Sequence, residues 1–311
     1  MSNFSKTHVA TLIALFATAT SSIFIKAISP YTSALVSAFW RMILSTIGTL
    51  FLVFILNMKH EFRNISKKNL KLIFVSGFFL ALHFGAWFLS LYYTSVAASV
   101  TIVDFSPVMV ALLGFIFLHE KINNWQIIGI GISIFGGLII AYGSLDPSAQ
   151  GSNPPLGILL SFLGAIGVSF YILIGRSARQ EVGIFAYTTL VYGICTIFLF
   201  IYALIFNTQD LIDSFLLKLP IEIYLGFILL AIGPSLLGHS LYNYALKEIK
   251  AAIISIITLG EPIIAGILAI FFFSEIPSIF IIIGAFFVIP GVAFTIYMEP
   301  EEKPELVELS S

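Results

Sequence analysis

Apolar residues run along the chain in ten blocks, at about 9–28, 33–57, 70–92, 97–118 and 125–142, then at 156–175, 183–206, 221–246, 251–273 and 277–298. Short polar or Gly/Pro breaks separate them. Most reach the ~20 residues a helix needs to cross a hydrocarbon core of ~30 Å. None alternates with the period of two that barrel strands require, and the blocks are apolar on every side. The pattern predicts an all-α integral membrane protein of ten transmembrane helices. Between the fifth and sixth blocks lies GSLDPSAQGSNPP, the one stretch rich in Pro, Gly, Ser and Asn, which reads as a linker. The expected organisation is a first five-helix repeat at 1–142, the linker at 143–155, a second five-helix repeat at 156–298 and an acidic disordered tail at 299–311.

The two halves repeat each other. An offset of 155 places Pro107 on Pro262, Phe117 on Phe272, Glu120 on Glu275, Gly129 on Gly284, Gly136 on Gly291 and Tyr142 on Tyr297, without a gap. Five spans per half is an odd number, so the second repeat must run through the membrane in the opposite sense to the first. The repeats are therefore inverted.

Composition fits this picture and adds an orientation. Of 311 residues 59% are apolar and 10% charged, against roughly 25% charged in a soluble domain. With the N terminus inside, twelve Lys and Arg fall on the inner side, and only Lys26 and Lys218 on the outer one. Positively charged loops stay cytoplasmic, so both termini are expected in the cytoplasm, in a cell membrane of the bacterial inner-membrane kind. Ala17-Thr18-Ala19 resembles a signal-peptidase site, but cleavage there would remove one member of the five-plus-five pattern, so the first block is read as a span. A net charge of −1 gives no hint of nucleic acid. Cys195, the single cysteine, reads as a buried small apolar residue.

Ionisable groups inside spans cost at least ~2.5 to 3.5 kcal/mol at the bilayer centre and normally face protein or a water-filled cavity. Asp104 and Arg41 lie at similar depth, about 10 Å from the outer end of their spans at 1.5 Å per residue. They are expected to form a structural ion pair between spans 2 and 4, with substrate contact or proton carriage by Asp104 as the alternative. Glu261 falls near the midplane beside Pro262, which removes a backbone donor and predicts a kink. It is read either as a coupling acid or as a neutral carboxyl bonded within the bundle. His83 and Trp87 share a helix face at i, i+4, and His239 and Asn243 repeat that spacing 156 residues later. These four, with Tyr171, Asp104 and Glu261, are the candidate substrate-binding residues. Small residues at Gly157, Ser161, Ala165 and Ser169, and at Gly129, Ser133 and Gly137, predict close helix packing.

The residues together resemble the EamA-type transporters of the drug/metabolite transporter superfamily. Each half carries that family's Pro in the fourth span, Glu where the span ends and glycines in the fifth: Pro107, Glu120, Gly129 and Gly136, then Pro262, Glu275, Gly284 and Gly291. FWRMIL, with Arg41, is similar to its aromatic-Arg phrase in the second span. The resemblance implies a ten-helix permease with a central cavity lined chiefly by spans 1, 3, 4, 6, 8 and 9, and marks the duplicated Pro and Gly residues as kink and packing positions. One departure stands out: Glu261 precedes the second Pro where the first repeat has Ser106.

Enzyme signatures fail. His119-Glu120 begins a zinc-protease motif, but Asn123 stands where the second His belongs; no phosphate loop ends in Gly-Lys-Ser/Thr; and Ile134 replaces the third glycine of a dinucleotide loop. The expectation is a secondary transporter without cofactor or metal. Its partners are membrane lipid, a small-molecule substrate of the amino-acid kind, moved outward, and a proton as coupling ion. The alternatives are a lipid-carrier flippase of the same superfamily and an integral membrane enzyme acting on lipid-linked substrates.

Overall fold

The computed structural model describes residues 3–118, 122–146, 149–238, 241 and 257–298. All regular structure in them is helical. The first repeat comprises α1 (Asn3–Ile28), α2 (Ala34–Ile55), α3 (Lys67–Tyr93), a fourth span divided into α4 (Val96–Val103) and α5 (Ser106–Leu118), and α6 (Asn124–Gly143). The second comprises α7 (Pro154–Arg179), α8 (Ile184–Phe206), the short α9 (Thr208–Phe215), α10 (Ile221–Leu230) continuing into a π-helical turn at Ala231–Gly238, α11 (Glu261–Phe273) and α12 (Ile279–Tyr297). Nine spans among the described residues are long and apolar enough to cross a membrane, and α11 is a shorter apolar helix. Several helices start where the chain offers a cap. Ser66 accepts from Asn69 N, Ser95 from Ala98 N and Asn153 from Leu156 N, and Asn123 forms a capping box with Gln126.

Packing follows the repeat. The partners α6 and α12 are equivalent elements, as are α2 and α8. The remaining main contacts occur as images of each other: α1 on the π turn and α3 on α7, then α1 on α11 and α7 on α4 and α5. Between α6 and α12 the backbones touch. A Cβ on Gly136 would stand 2.6 Å from Gly284 O, and one on Gly291 would stand 2.7 Å from Ser133 N. The contact row is thus Gly129, Ser133 and Gly136, not Gly137, which faces Ile102 at ordinary distance. Helix α3 is the most enclosed span, with 61% of its apolar window buried, against 33% for α8 and α12. The outward faces of those two carry Phe206, Phe286 and their aliphatic neighbours. Water would not tolerate so wide an apolar belt, whereas lipid does.

The stretch between the repeats is tied down. Asn153 N donates to Tyr93 O at 3.2 Å, and Gly151, at φ +115°, lies against the same carbonyl, where any Cβ would clash. Two carboxylates cap helices of other elements. Glu275 Oε2 accepts from Val96 N at 2.9 Å, and Glu61 Oε2 accepts from Phe185 N and Ala186 N at 2.8 and 3.0 Å. Glu275 also pairs with Lys26 Nζ at 2.8 Å, and Lys26 reaches Thr94 O at 3.0 Å. The end of α1, the start of α4 and the end of α11 are therefore latched together on one side of the bundle.

Candidate functional site

Both fourth spans break at the same repeat position. Pro107 lacks an N–H and crowds the carbonyl four residues earlier, that of Val103, and α4 ends there. A turn at Asp104–Phe105 follows, and α5 begins at Ser106. In the second repeat the turn falls at Leu259–Gly260, the equivalent positions, and α11 begins at Glu261. The two unduplicated acids thus flank two interrupted helices that pack on each other, α4 against α11.

Around them lies a polar cluster in which Thr18, Ser21, Arg41 and Ser235 are buried and Glu261 is half-buried. Thr18 Oγ1 on α1 donates to Glu261 Oε1 at 2.6 Å. One turn further along α1, Ser21 Oγ accepts from Arg41 Nη1 at 2.8 Å. Arg41 Nε donates to Ser235 Oγ on the π turn at 3.0 Å. Phe84 covers the guanidinium, with its centroid 4.6 Å from the central carbon, and Phe88 stands at 5.8 Å. Arg41 is 2% exposed. Glu261 lies close enough to both Arg41 and Asp104 for their charges to interact. Asp104 Oδ2 is buried and finds no hydrogen-bond partner among the described residues.

The ion pair expected between Arg41 and Asp104 is not formed. Similar depth is not adjacency: α2 packs on α3, α8 and the π turn, whereas α4 packs on α7 and α11. Among the described residues the guanidinium hydrogen-bonds to hydroxyls and not to a carboxylate.

The other expected residues fall as follows. His83 and Trp87 stack at 5.7 Å with 16° between their planes, and His83 Nδ1 lies 2.9 Å from Gly164 O on α7. Trp87 Nε1 is buried without a hydrogen-bond partner among the described residues. Tyr171 packs against the main apolar core, and Cys195 is buried and unpaired. His239, Asn243 and Glu120 lie outside the described residues, as does the 299–311 tail.

Thr18, Ser21 and Ser235 were not among the residues singled out from the sequence. A signal for the first two was present: Thr11, Thr18 and Ser22 recur at helical spacing along α1, with Ser21 beside them, and all four are buried. Ser235 carried none, because its role depends on the π turn around Pro234, which widens the helix and redirects the hydroxyl.

Ten apolar blocks, interrupted fourth spans and a polar centre shared by both halves define a multi-pass helical membrane protein built on an internal repeat. The model of the EamA-like transporter family matches residues 5–142 and 155–297, so the chain belongs to that family. Among curated relatives it is 27% identical over 265 residues to the "Uncharacterized transporter YyaM" of Bacillus subtilis (strain 168), spanning 84% of each chain. It is 24% identical over 292 residues to an "Uncharacterized transporter" of Archaeoglobus fulgidus, spanning 94% of this chain and 97% of the relative. A solved crystal structure superposes with a TM-score of 0.60 at 14% identity, covering 93% of this chain and 96% of that one, which shows a shared fold. The protein is a membrane transporter of this fold.

Proposed function

We propose that the protein is a secondary carrier that exports a small amphipathic metabolite, an amino acid or a related solute, by alternating access, with both termini in the cytoplasm of a bacterial cell. The cluster of Thr18, Ser21, Arg41, Ser235 and Glu261 supports this reading above any other observation, because it brings a buried cation of one repeat and a half-buried carboxyl of the other to one place. Groups this costly to bury persist in a membrane protein where they handle solute or ions. Interrupted helices lie beside them, the arrangement secondary carriers use at their sites. Rocking one repeat against the other about this centre would expose it to each side in turn. In this scheme Asp104 and Glu261 carry the coupling proton, and the stacked His83 and Trp87 line the apolar part of the cavity.

The test is uptake into liposomes containing the purified protein, with and without an imposed proton gradient, across a panel of labelled amino acids and amines. Solute is expected to move, and to move faster with the gradient. Glu261→Gln is expected to abolish the gradient dependence while leaving the melting temperature close to wild type. Movement of no solute under either condition would defeat the carrier reading. Transport of a labelled lipid-linked sugar alone would replace it with the flippase.

A further inference from the structure

The fourth span of the first repeat begins with a short rod that is gripped at one end and cut at the other. Helix α4 is 8 residues long, and the turn at Asp104–Phe105 separates it from α5. Its start is held by groups from both repeats. Ser274, at φ +55°, ends α11 in a left-handed turn, and the next residue, Glu275, accepts from Val96 N at 2.9 Å. Lys26 Nζ meets Glu275 Oε1 at 2.8 Å and donates to Thr94 O at 3.0 Å. Lys26 belongs to the first repeat and Glu275 to the second, so rocking one repeat against the other pulls on this pair.

Two further observations make α4 movable. Beside its start lies a cavity of about 250 Å3, lined by Ser95, Ala98, Ile140, Gly143, Ile158 and Ile281 among others. Protein interiors hold few voids larger than a water molecule, so this space leaves a short helix room to swing. The ion pair is also of breakable strength, since its side chains keep 20% and 13% of their surface exposed. Parting a fully buried pair strands two charges away from water, whereas a pair within reach of water parts at little cost.

The latch stands over the polar centre. Thr18 lies eight residues before Lys26 and Asp104 eight after Val96, each about 12 Å away along its helix at 1.5 Å per residue. The third element that the latch holds, α11, starts at Glu261. Each of the three elements joined there therefore also carries a polar group of the centre.

We infer that Lys26 and Glu275 form an ion-pair gate at the ends of α1 and α11, on the side of the bundle away from residues 3 and 298, and that the first turn of α4 is the part it releases. The Asp104–Phe105 turn serves as the hinge. This inference rests on the alternating-access reading above and adds to it which bond must break for the polar centre to open on that side.

The experiment places one cysteine beneath the latch. Ser22 is one turn before Lys26 on the same face of α1 and is 2% exposed. Ser22→Cys in the full chain, with Cys195→Ala, is the reporter. A membrane-impermeant maleimide is applied to whole cells and, separately, to inverted membrane vesicles, so that each face is read. With the latch intact, labelling from the cell exterior is expected to be slow. Lys26→Met is expected to speed it on the order of 10-fold, the worth of one hydrogen bond to a charged group. Glu275→Gln is expected to act in the same direction, and Lys26→Arg, which keeps the pair, to stay slow. Acceleration from one face only supports the gate. Equal rates in the reporter and its Lys26→Met variant would overturn it, and so would equal acceleration from both faces, which marks a general loosening of the bundle. No solute enters the measurement, so failure of the gate is read separately from failure of the carrier, which shows in liposomes.

Discussion

Two of the regions that join the repeats are built from opposite materials. Where α6 meets α12, glycine and serine let backbone touch backbone, and a Cβ on Gly136 or Gly291 would stand 2.6 to 2.7 Å from main-chain atoms of the other helix. Where α1, α2, the π turn and α11 meet, the contacts are hydroxyls, a guanidinium and a carboxylate. The first is held by dispersion and shape, which act at all points of a surface and tolerate no gap. The second is held by a few directed bonds, each of which can exchange its partner for a solute atom. One joint keeps the repeats in backbone contact, and the other is where the proposed carrier would handle its solute.

The largest effect is expected at the glycine joint. Gly291→Leu pushes a branched side chain into Ser133 and the backbone of Gly129, and should cost about 3 kcal/mol or more by overpacking. A fall in the melting temperature of the detergent-purified protein, or its loss as a monodisperse species, measures this. An unchanged melt would mean the helices separate readily there and would dissolve the contrast. Next, Thr18→Val keeps the shape of the side chain but removes the donor to Glu261. A net hydrogen bond of about 1 kcal/mol corresponds to roughly a five-fold loss of gradient-driven flux, with little change in melting. If Thr18→Val lowered the melt as far as Gly291→Leu, the polar cluster would belong to the scaffold after all. The smallest effect is expected for Ser133→Ala. Its hydroxyl bonds back to Gly129 O within the same helix, so only size matters at the joint, and the change in stability should stay within about 0.5 kcal/mol. A loss well beyond that would show that the glycine joint also depends on a directed bond.

Much of the fold was legible because membrane solvent leaves few choices. Once the blocks were read as spans, backbone hydrogen bonding had to be helical and the odd number per half had to invert the repeat. Pro107 and Pro262 marked both helix interruptions, though their position was visible only approximately. The turns fall at Asp104–Phe105 and Leu259–Gly260, just ahead of the prolines, since it is the carbonyl four residues earlier that loses its donor. Glu275 stood out in the sequence as the repeat partner of Glu120, and it caps α4 and holds Lys26.

The site was less legible. Depth along a span can be counted, so Asp104 and Arg41 were placed at one level, but depth does not say which helices are neighbours. The partner of Arg41 is a serine nearly 200 residues away, brought to it by the packing of α2 on the π turn. Hydroxyl residues carry almost no hydropathy signal, so Thr18, Ser21 and Ser235 passed as ordinary small residues of apolar spans.

The sequence by itself determined the solvent, the number of spans, the internal repeat and the two acids set apart from it, because each follows from counting along one dimension. Only the tertiary structure decided that Arg41 meets hydroxyls rather than Asp104, that Glu261 is held by Thr18, and that glycines of α6 and α12 bring the repeats into backbone contact. Those facts depend on which helix faces lie together, and the bilayer, which dictates that helices form, is nearly indifferent to how they are arranged around one another.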